Sequence, residues 1–440
     1  MRCQSGTTQG DETMFKFSPL AAAVLTTFSI QALADDSLSN QDQIGDFNYA
    51  EVNQDFTGPS SASQTQTGAD NYALIYQTMT DSTATQNQTG VLNATFIEQV
   101  DNFNSHSSQT QHGDLNDAAA LQIFNMDTTA TQTQSGVGNF SAVWQEGMIQ
   151  GDTTIDQNGV GNTAYADQLY SENTQIDITQ DGDDNFAAAW QDSSMDSQID
   201  ITQLGMGNEA FGDQFFADNS NTSLNQAGMY NYMESWQDTQ SQSTSNLQQN
   251  GDFNELIVDQ SFGSYNQVTV WQSGSENALE ALQFEVDDAV MTLSQSGVGN
   301  YGEVYQEGVG HVMQLSANGD GNTWDVQQLD DYNVINFSQS GPGNELVSLQ
   351  SGMDNYASGS SKGSNNSVDI DQSGYDNQLF VSQLYGEGNL IQATQTDMFN
   401  YANVIQGGMY NEAYVNQAGM SHSAYISQYG TGNQAVVNQQ

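Results

Sequence analysis

Small or aliphatic residues recur at alternate positions in short runs: Ala164 and Ala166, Ala187 and Ala189, Leu256 and Val258, Val268 and Val270, Ala435 and Val437. A period of two places them on one face of a β-strand, together with the Asn that opens each run and the Gln that closes it. A second kind of run alternates in the same way, as in Thr174, Ile176, Ile178 and Gln180, or Ser197, Ile199, Ile201 and Gln203. Between the runs lie Gly136-Val137-Gly138, Gly205-Met206-Gly207 and Gly297-Val298-Gly299. Glycine there supplies the positive backbone angles of a tight corner. The pattern predicts two short strands facing each other, joined by turns rich in Gly and Asn.

These strands belong to a repeat. Its frame is Gln, one residue, Gly, two residues, Asn, five residues, Gln, and it reads Gln134, Gly136, Asn139, Gln145; then Gln157, Gly159, Asn162, Gln168; then Gln180, Gly182, Asn185, Gln191; then Gln203, Gly205, Asn208, Gln214. The frame returns every 22 or 23 residues from Gln43 to Gln439, with breaks at Ala317, Ser361 and His422 and with Asp397 in a glycine position. No such unit buries its apolar face alone, so copies must stack. The expected fold is all-β: a parallel two-sheet β-solenoid of about eighteen rungs of 22–23 residues, strand-turn-strand, with a cross-β interior. Stacking places each Asn and Gln over the next, so that the amides hydrogen-bond along the axis and satisfy polar groups that would be costly to bury alone. At about 4.8 Å per rung the rod is on the order of 86 Å long. The last unit, Gly430 to Gln439, carries no polar helix or proline after it. Bare strand edges are therefore expected at the ends, as a fibre-forming chain requires.

Composition sharpens this. The chain of 440 residues has 54 acidic and 3 basic side chains and a formal charge of −51. That excludes nucleic acid and anionic membrane as partners, because binding phosphates needs Lys and Arg. Lys16, the apolar stretch Leu20 to Ile30 and the small residues Ala32-Leu33-Ala34 read as a secretory signal peptide over 14–34, with Met14 as the native start and 1–13 an upstream segment. The apolar stretch is too short to span a bilayer, so no membrane insertion is expected. Cys3 lies upstream, which leaves the mature chain without disulfides. A short segment, 35–42, would precede the repeat solenoid at 43–440.

The frame resembles the curlin repeat, which reads Ser, five residues, Gln, one residue, Gly, two residues, Asn, one residue, Ala, three residues, Gln. Ser197, Gln203, Gly205, Asn208, Ala210 and Gln214 match it fully; Gly182, Asn185, Ala187 and Gln191 match after Gln180, with Thr174 in the Ser position. The resemblance implies a secreted subunit of curli-like amyloid fibres in biofilm matrix. It further implies self-association as the main partnership, a nucleator subunit and export through a dedicated outer-membrane pore. Whether this chain is the major subunit or the nucleator stays open.

On the outward face, the fifth residue after each Asn reads Trp144, Asp167, Trp190, Asp213, Trp236, Asp259. Like charges then sit two rungs apart, at roughly 9.6 Å, about one Debye length at physiological salt. Replacing the three Asp residues with Asn is expected to speed assembly at low salt. Asp181-Gly182-Asp183-Asp184-Asn185 resembles part of a calcium loop, but Ala187 and Ala189 occupy later ligand positions. No specific metal site or cofactor is expected. His106, His112, His311 and His422 are scattered and the carboxylates lie on a repetitive face, so catalysis is not expected either. The alternatives are a monomeric acidic β-solenoid adhesin and an ice-binding rod, for which Thr129, Thr131 and Thr133 would begin a flat Thr rank.

Overall fold

Alternation of buried and half-buried residues runs through nearly every strand of the computed structural model, which describes residues 37–440. The expected signal segment, with Lys16, Ala32 and Ala34, lies outside the described residues, as do Arg2 and Cys3. Thirty-six strands follow one another from β1 (Leu38–Asp46) and β2 (Tyr49–Asp55) to β35 (Ser423–Thr431) and β36 (Gln434–Gln439). Odd-numbered strands form one parallel sheet of 18 and even-numbered strands the other. β1 pairs residue for residue with the strand 23 positions on, Gln43 opposite Gln66 and Gly45 opposite Gly68. Pairing therefore begins at Leu38, inside the segment that the repeat frame left ahead of its first unit. The architecture is the all-β, two-sheet parallel solenoid, and among the described residues no helix is present.

The interior is narrow and changes along the axis. Ile155, Ile176, Ile178, Ile199, Ile201 and Leu224 are fully buried in one continuous core. In the first five rungs the position that later holds Ile155 and Ile178 is instead glutamine: Gln41, Gln64, Gln86, Gln109 and Gln132 bond in sequence along the axis at 2.7–3.0 Å. Those rungs enclose only small apolar clusters such as Ala62, Ile75, Ala84 and Ile97. Their cohesion rests more on amides than on apolar burial.

The two corners of a rung are not alike. Up to Ala289, one corner has the Gly- and Asn-rich turn and the other, except between Gln77 and Ser82, is one residue longer, with an inward side chain: Met148, Ser171, Ser194, Ala217 and Gln240 are buried there. Isolated parallel bridges, Ile149 to Glu172 to Met195 to Asp218, link these wider corners into a third narrow ladder. The turns rich in Gly and Asn read from the sequence thus account for one corner only in this half. From Val290 onward both corners take the shorter form except between Gln383 and Asn389, where the strand is irregular, and successive rungs are mostly 22 residues apart, as in Gln306, Gln328 and Gln350.

Two interruptions expected in the glutamine column are real, and the strands stay paired across them. Gln339 follows Ala317, and its Oε1 is buried without a partner. At the second break Ser361 Oγ donates to Gln383 Oε1 at 2.7 Å. Nearby volume is recovered by the two largest fully buried side chains, Trp324 and Phe337. Each packs where the adjacent rung has glycine: a Cβ on Gly302 would stand 3.0 Å from Trp324 Cε3, and one on Gly359 would stand 2.6 Å from Phe337 Cε2.

Asp397 occupies a glycine position with φ of 70°. The backbone pairing lapses there: Gln372 pairs Gln395 and Tyr375 pairs Met398, while Gly374 and Asp397 are not paired with each other. A side chain in the left-handed region costs of order 1 kcal/mol that glycine does not. Asp397→Gly is therefore expected to stabilise the rod by about 1 kcal/mol, read as a higher denaturant midpoint; a lower midpoint would contradict this reading of the turn.

Candidate assembly site

Because each rung largely repeats the last by simple translation, most inward polar side chains meet their own kind. Gln134 Nε2 donates to Gln157 Oε1, Gln157 to Gln180, Gln180 to Gln203 and Gln203 to Gln226, at 2.8–2.9 Å. The same Nε2 groups donate across the interior to carbonyls of the facing sheet, as Gln157 does to Phe140 O at 2.9 Å and Gln203 to Phe186 O at 2.8 Å. The second file runs Gln145 to Gln168 to Gln191 to Gln214 at 2.8–2.9 Å. All these glutamines are buried.

The asparagines are threaded the other way. Asn162 donates with both its backbone N–H and its Nδ2 to Asn139 Oδ1, at 3.0 and 3.1 Å. Asn185 does the same to Asn162, and Asn208 to Asn185. Each Nδ2 also reaches the carbonyl of a turn glycine in the following rung: Asn139 to Gly159 O, Asn162 to Gly182 O and Asn185 to Gly205 O, at 2.7–3.1 Å. From amide to amide, glutamine donates toward the C-terminal end and asparagine toward the N-terminal end along the axis. The rod consequently has a chemical polarity.

Turn glycines set the rung spacing. Gly136, Gly159, Gly182 and Gly205 have φ between 118° and 128°, and a Cβ on any of them would lie 1.9 or 2.0 Å from the carbonyl oxygen of the glycine in the next rung. Only glycine allows that approach. His311 takes an Asn position instead: Nδ1 accepts from Asn333 N–H at 3.3 Å and Nε2 lies 2.9 Å from Glu307 O. Burial holds its pKa below the ordinary histidine value, as a neutral asparagine substitute requires. The four histidines are as dispersed in space as in sequence, but His311 belongs to the ladder, and so does His422, whose backbone N–H donates to Asn400 Oδ1 at 3.1 Å.

Outside, Trp144, Asp167, Trp190, Asp213, Trp236 and Asp259 lie in one file, directly opposed rung by rung. The two-rung charge spacing inferred from this file is incomplete. Two positions further along, Glu146, Asp192 and Asp238 occupy the rungs that carry Trp, so acids alternate between two neighbouring files. Burial, then Asp192 and Glu146, push Asp167 up to about 7. Burial, then Asp238, Asp192 and Glu234, push Asp213 up to about 6. Asp259 is raised by burial against the opposing hydrogen bond from Ser261.

These shifts carry a sign. A carboxyl whose folded pKa exceeds its unfolded value stabilises the fold fully below the unfolded pKa, and that contribution is lost as pH rises through the folded value. For Asp167 and Asp213 the loss falls between about pH 4 and pH 7. His311 acts oppositely, losing stability as pH falls below the ordinary histidine range. The triple variant Asp167→Asn, Asp213→Asn, Asp259→Asn is expected to melt higher than wild type at neutral pH and to shrink the gain that wild type shows on acidification toward about pH 5. An unchanged pH profile would remove this account of the acid file.

A zigzag of rings runs beside the Trp file. Phe140, Tyr165, Phe186, Phe211 and Tyr232 follow one another with centroids 5.4–5.8 Å apart. Alignment over two rungs would have revealed it, because the ring alternates between the first and third residue after Asn. Asp181 and Asp183 are tied to the preceding rung through Asn158 Nδ2 and Val160 N–H. Among the described residues no group of three or more His, Cys, Asp or Glu could hold a metal ion. The Thr131 file passes through Thr154 to Asp177, so no flat threonine rank forms.

A family model described as the curlin associated repeat matches residues 171–205, 363–396 and 400–430. A search of curated proteins finds no match to the chain.

Proposed function

We propose that this chain, three stretches of which match the curlin associated repeat, is a secreted structural subunit that self-assembles into extracellular curli-like amyloid fibres for biofilm matrix and surface adhesion. The curlin repeat and the β-solenoid are structural rather than catalytic signatures. The observation that carries the proposal is the polar, in-register amide ladder. What joins rung to rung within the chain is what would join chain to chain.

Gln43 and Gln54 donate to the following rung through Nε2, leaving Oε1 facing away from the stack. Gln428 and Gln439 at the other end donate only to carbonyls within their own end of the rod, Glu412 O and Ser423 O. Head-to-tail stacking brings these acceptors and donors together, continues both ladders and covers the edges of β1 and β2 at one end and of β35 and β36 at the other. A nucleator subunit and an outer-membrane curli-type pore complete the proposed route from periplasm to cell surface. Among the described residues no helix is long and apolar enough to cross a membrane.

Seeding tests this. Residues 35–440, held at neutral pH and moderate salt and followed by thioflavin fluorescence, are expected to assemble after a lag that preformed fragments of the same fibres abolish. A folded monomer that ignores seeds would overturn the proposal in favour of a monomeric adhesin.

A further inference from the structure

The outer Trp file has a period of its own. Trp144, Trp190 and Trp236 are each two rungs apart, hence about 9.6 Å at the spacing of parallel strands. They remain 38–40% exposed. Between them Asp167, Asp213 and Asp259 present carboxylates, and Lys362, far along the chain, is the only Lys or Arg within the described residues. Around Trp190 the surface sinks into a depression of about 450 Å³ lined by Asp167, Leu169, Trp190, Asp192, Asp213 and Phe215. The zigzag of Phe and Tyr rings runs alongside, and the planes of Trp190 and Phe211 are nearly parallel with centroids 6.4 Å apart.

An extended β-1,4-linked polysaccharide has matching features. Its sugars alternate in orientation, so the same face returns once per disaccharide, at a distance close to two rungs. Each pyranose ring offers a C–H face that packs on an aromatic ring and a rim of equatorial hydroxyls that donate to carboxylates. Acidic surroundings repel anionic polymers and leave a neutral one unopposed. From Trp144 to Asp259 the file spans five rung steps, on the order of 24 Å, enough for several sugars in line.

We propose that the file from Trp144 to Asp259 is a docking strip for a neutral, extended β-1,4-linked polysaccharide lying along the rod axis. The strip needs only the folded rod, so it stands or falls separately from fibre assembly.

The test uses soluble residues 35–440 before any thioflavin signal develops. Tryptophan emission is titrated with cellohexaose and with maltohexaose, whose α-1,4 linkage curls the chain and destroys the match. Co-sedimentation with microcrystalline cellulose and with chitin follows. Expected are saturable blue-shifted emission with cellohexaose only, and co-sedimentation with one or both solids. The variant Trp144→Ala, Trp190→Ala, Trp236→Ala should bind about tenfold more weakly or worse, while Trp271→Ala, exposed on the opposite sheet, should bind as wild type. Equal response to maltohexaose, no response to cellohexaose, or full retention by a folded triple variant would each overturn the proposal. The wild-type comparison of the two sugars decides the matter even if the triple variant fails to fold.

Discussion

Gly136→Ala is expected to destabilise the rod by at least about 3 kcal/mol, whereas Gly138→Asn, two residues along the same turn, is expected to change it by less than about 1 kcal/mol. The difference is geometric. Gly136 has φ of 118°, and its added Cβ would stand 1.9 Å from Gly159 O. No rotamer relieves that contact, because the backbone fixes the Cβ and the oxygen belongs to the backbone, so the two rungs must part at this corner. Gly138 has φ of 70°, and its added Cβ would meet nothing within 4 Å. The chain itself places Leu115, Asp184, Tyr230 and Phe253 at equivalent positions with φ of 53–61°. Urea denaturation of the two soluble variants against wild type measures the contrast. Similar losses in both would mean that glycine serves turn flexibility in general rather than close approach of rungs.

Asn185→Leu is the second large loss, again at least about 3 kcal/mol, with Asn185→Ser substantially milder. Leucine fills the volume but removes the acceptor for Asn208 N–H and Nδ2, and the donor to Gly205 O. It also strips Asn162 Oδ1 of its side-chain donor. These groups are buried, and each one orphaned costs about 1–3 kcal/mol. Serine keeps an acceptor, as Ser243 does in the corresponding file at the other corner, where its Oγ accepts from Asn266 N–H at 3.2 Å. The exposed Asn158→Ala serves as control, expected within about 0.5 kcal/mol of wild type. Denaturant midpoints rank the three. A leucine variant as stable as wild type would mean that apolar packing, not the amide ladder, holds the rungs.

Much of this was legible in the sequence because a dry, translational interior imposes a strict period. Inward positions such as Ile176, Ile178 and Gln180 had to alternate, and every turn glycine of the odd sheet from Gly45 to Gly430 had to stay glycine. What escaped notice obeys looser constraints. The second glutamine column, Gln41 to Gln132, has a polar side chain where the later rungs have Ile or Leu, and only stacking makes a buried glutamine economical. Met148 and its successors point inward from a corner that the two-strand frame did not contain. Ring zigzag and acid checkerboard both alternate between neighbouring files, so reading one column, as for Trp144 and Asp167, hid Glu146 and Asp192. His311 looked isolated because its role comes from the rung it occupies rather than from any neighbour in sequence.

The most direct test of the account is diffraction from aligned fibres grown from residues 35–440. If the ladder that joins rungs within a chain also joins chains, the pattern will show a meridional reflection near roughly 4.8 Å and an equatorial one near roughly 10 Å. In the same sample, Asn185→Leu will fail to give ordered fibres. Fibres lacking the meridional reflection, or ordered fibres from the leucine variant, would contradict it.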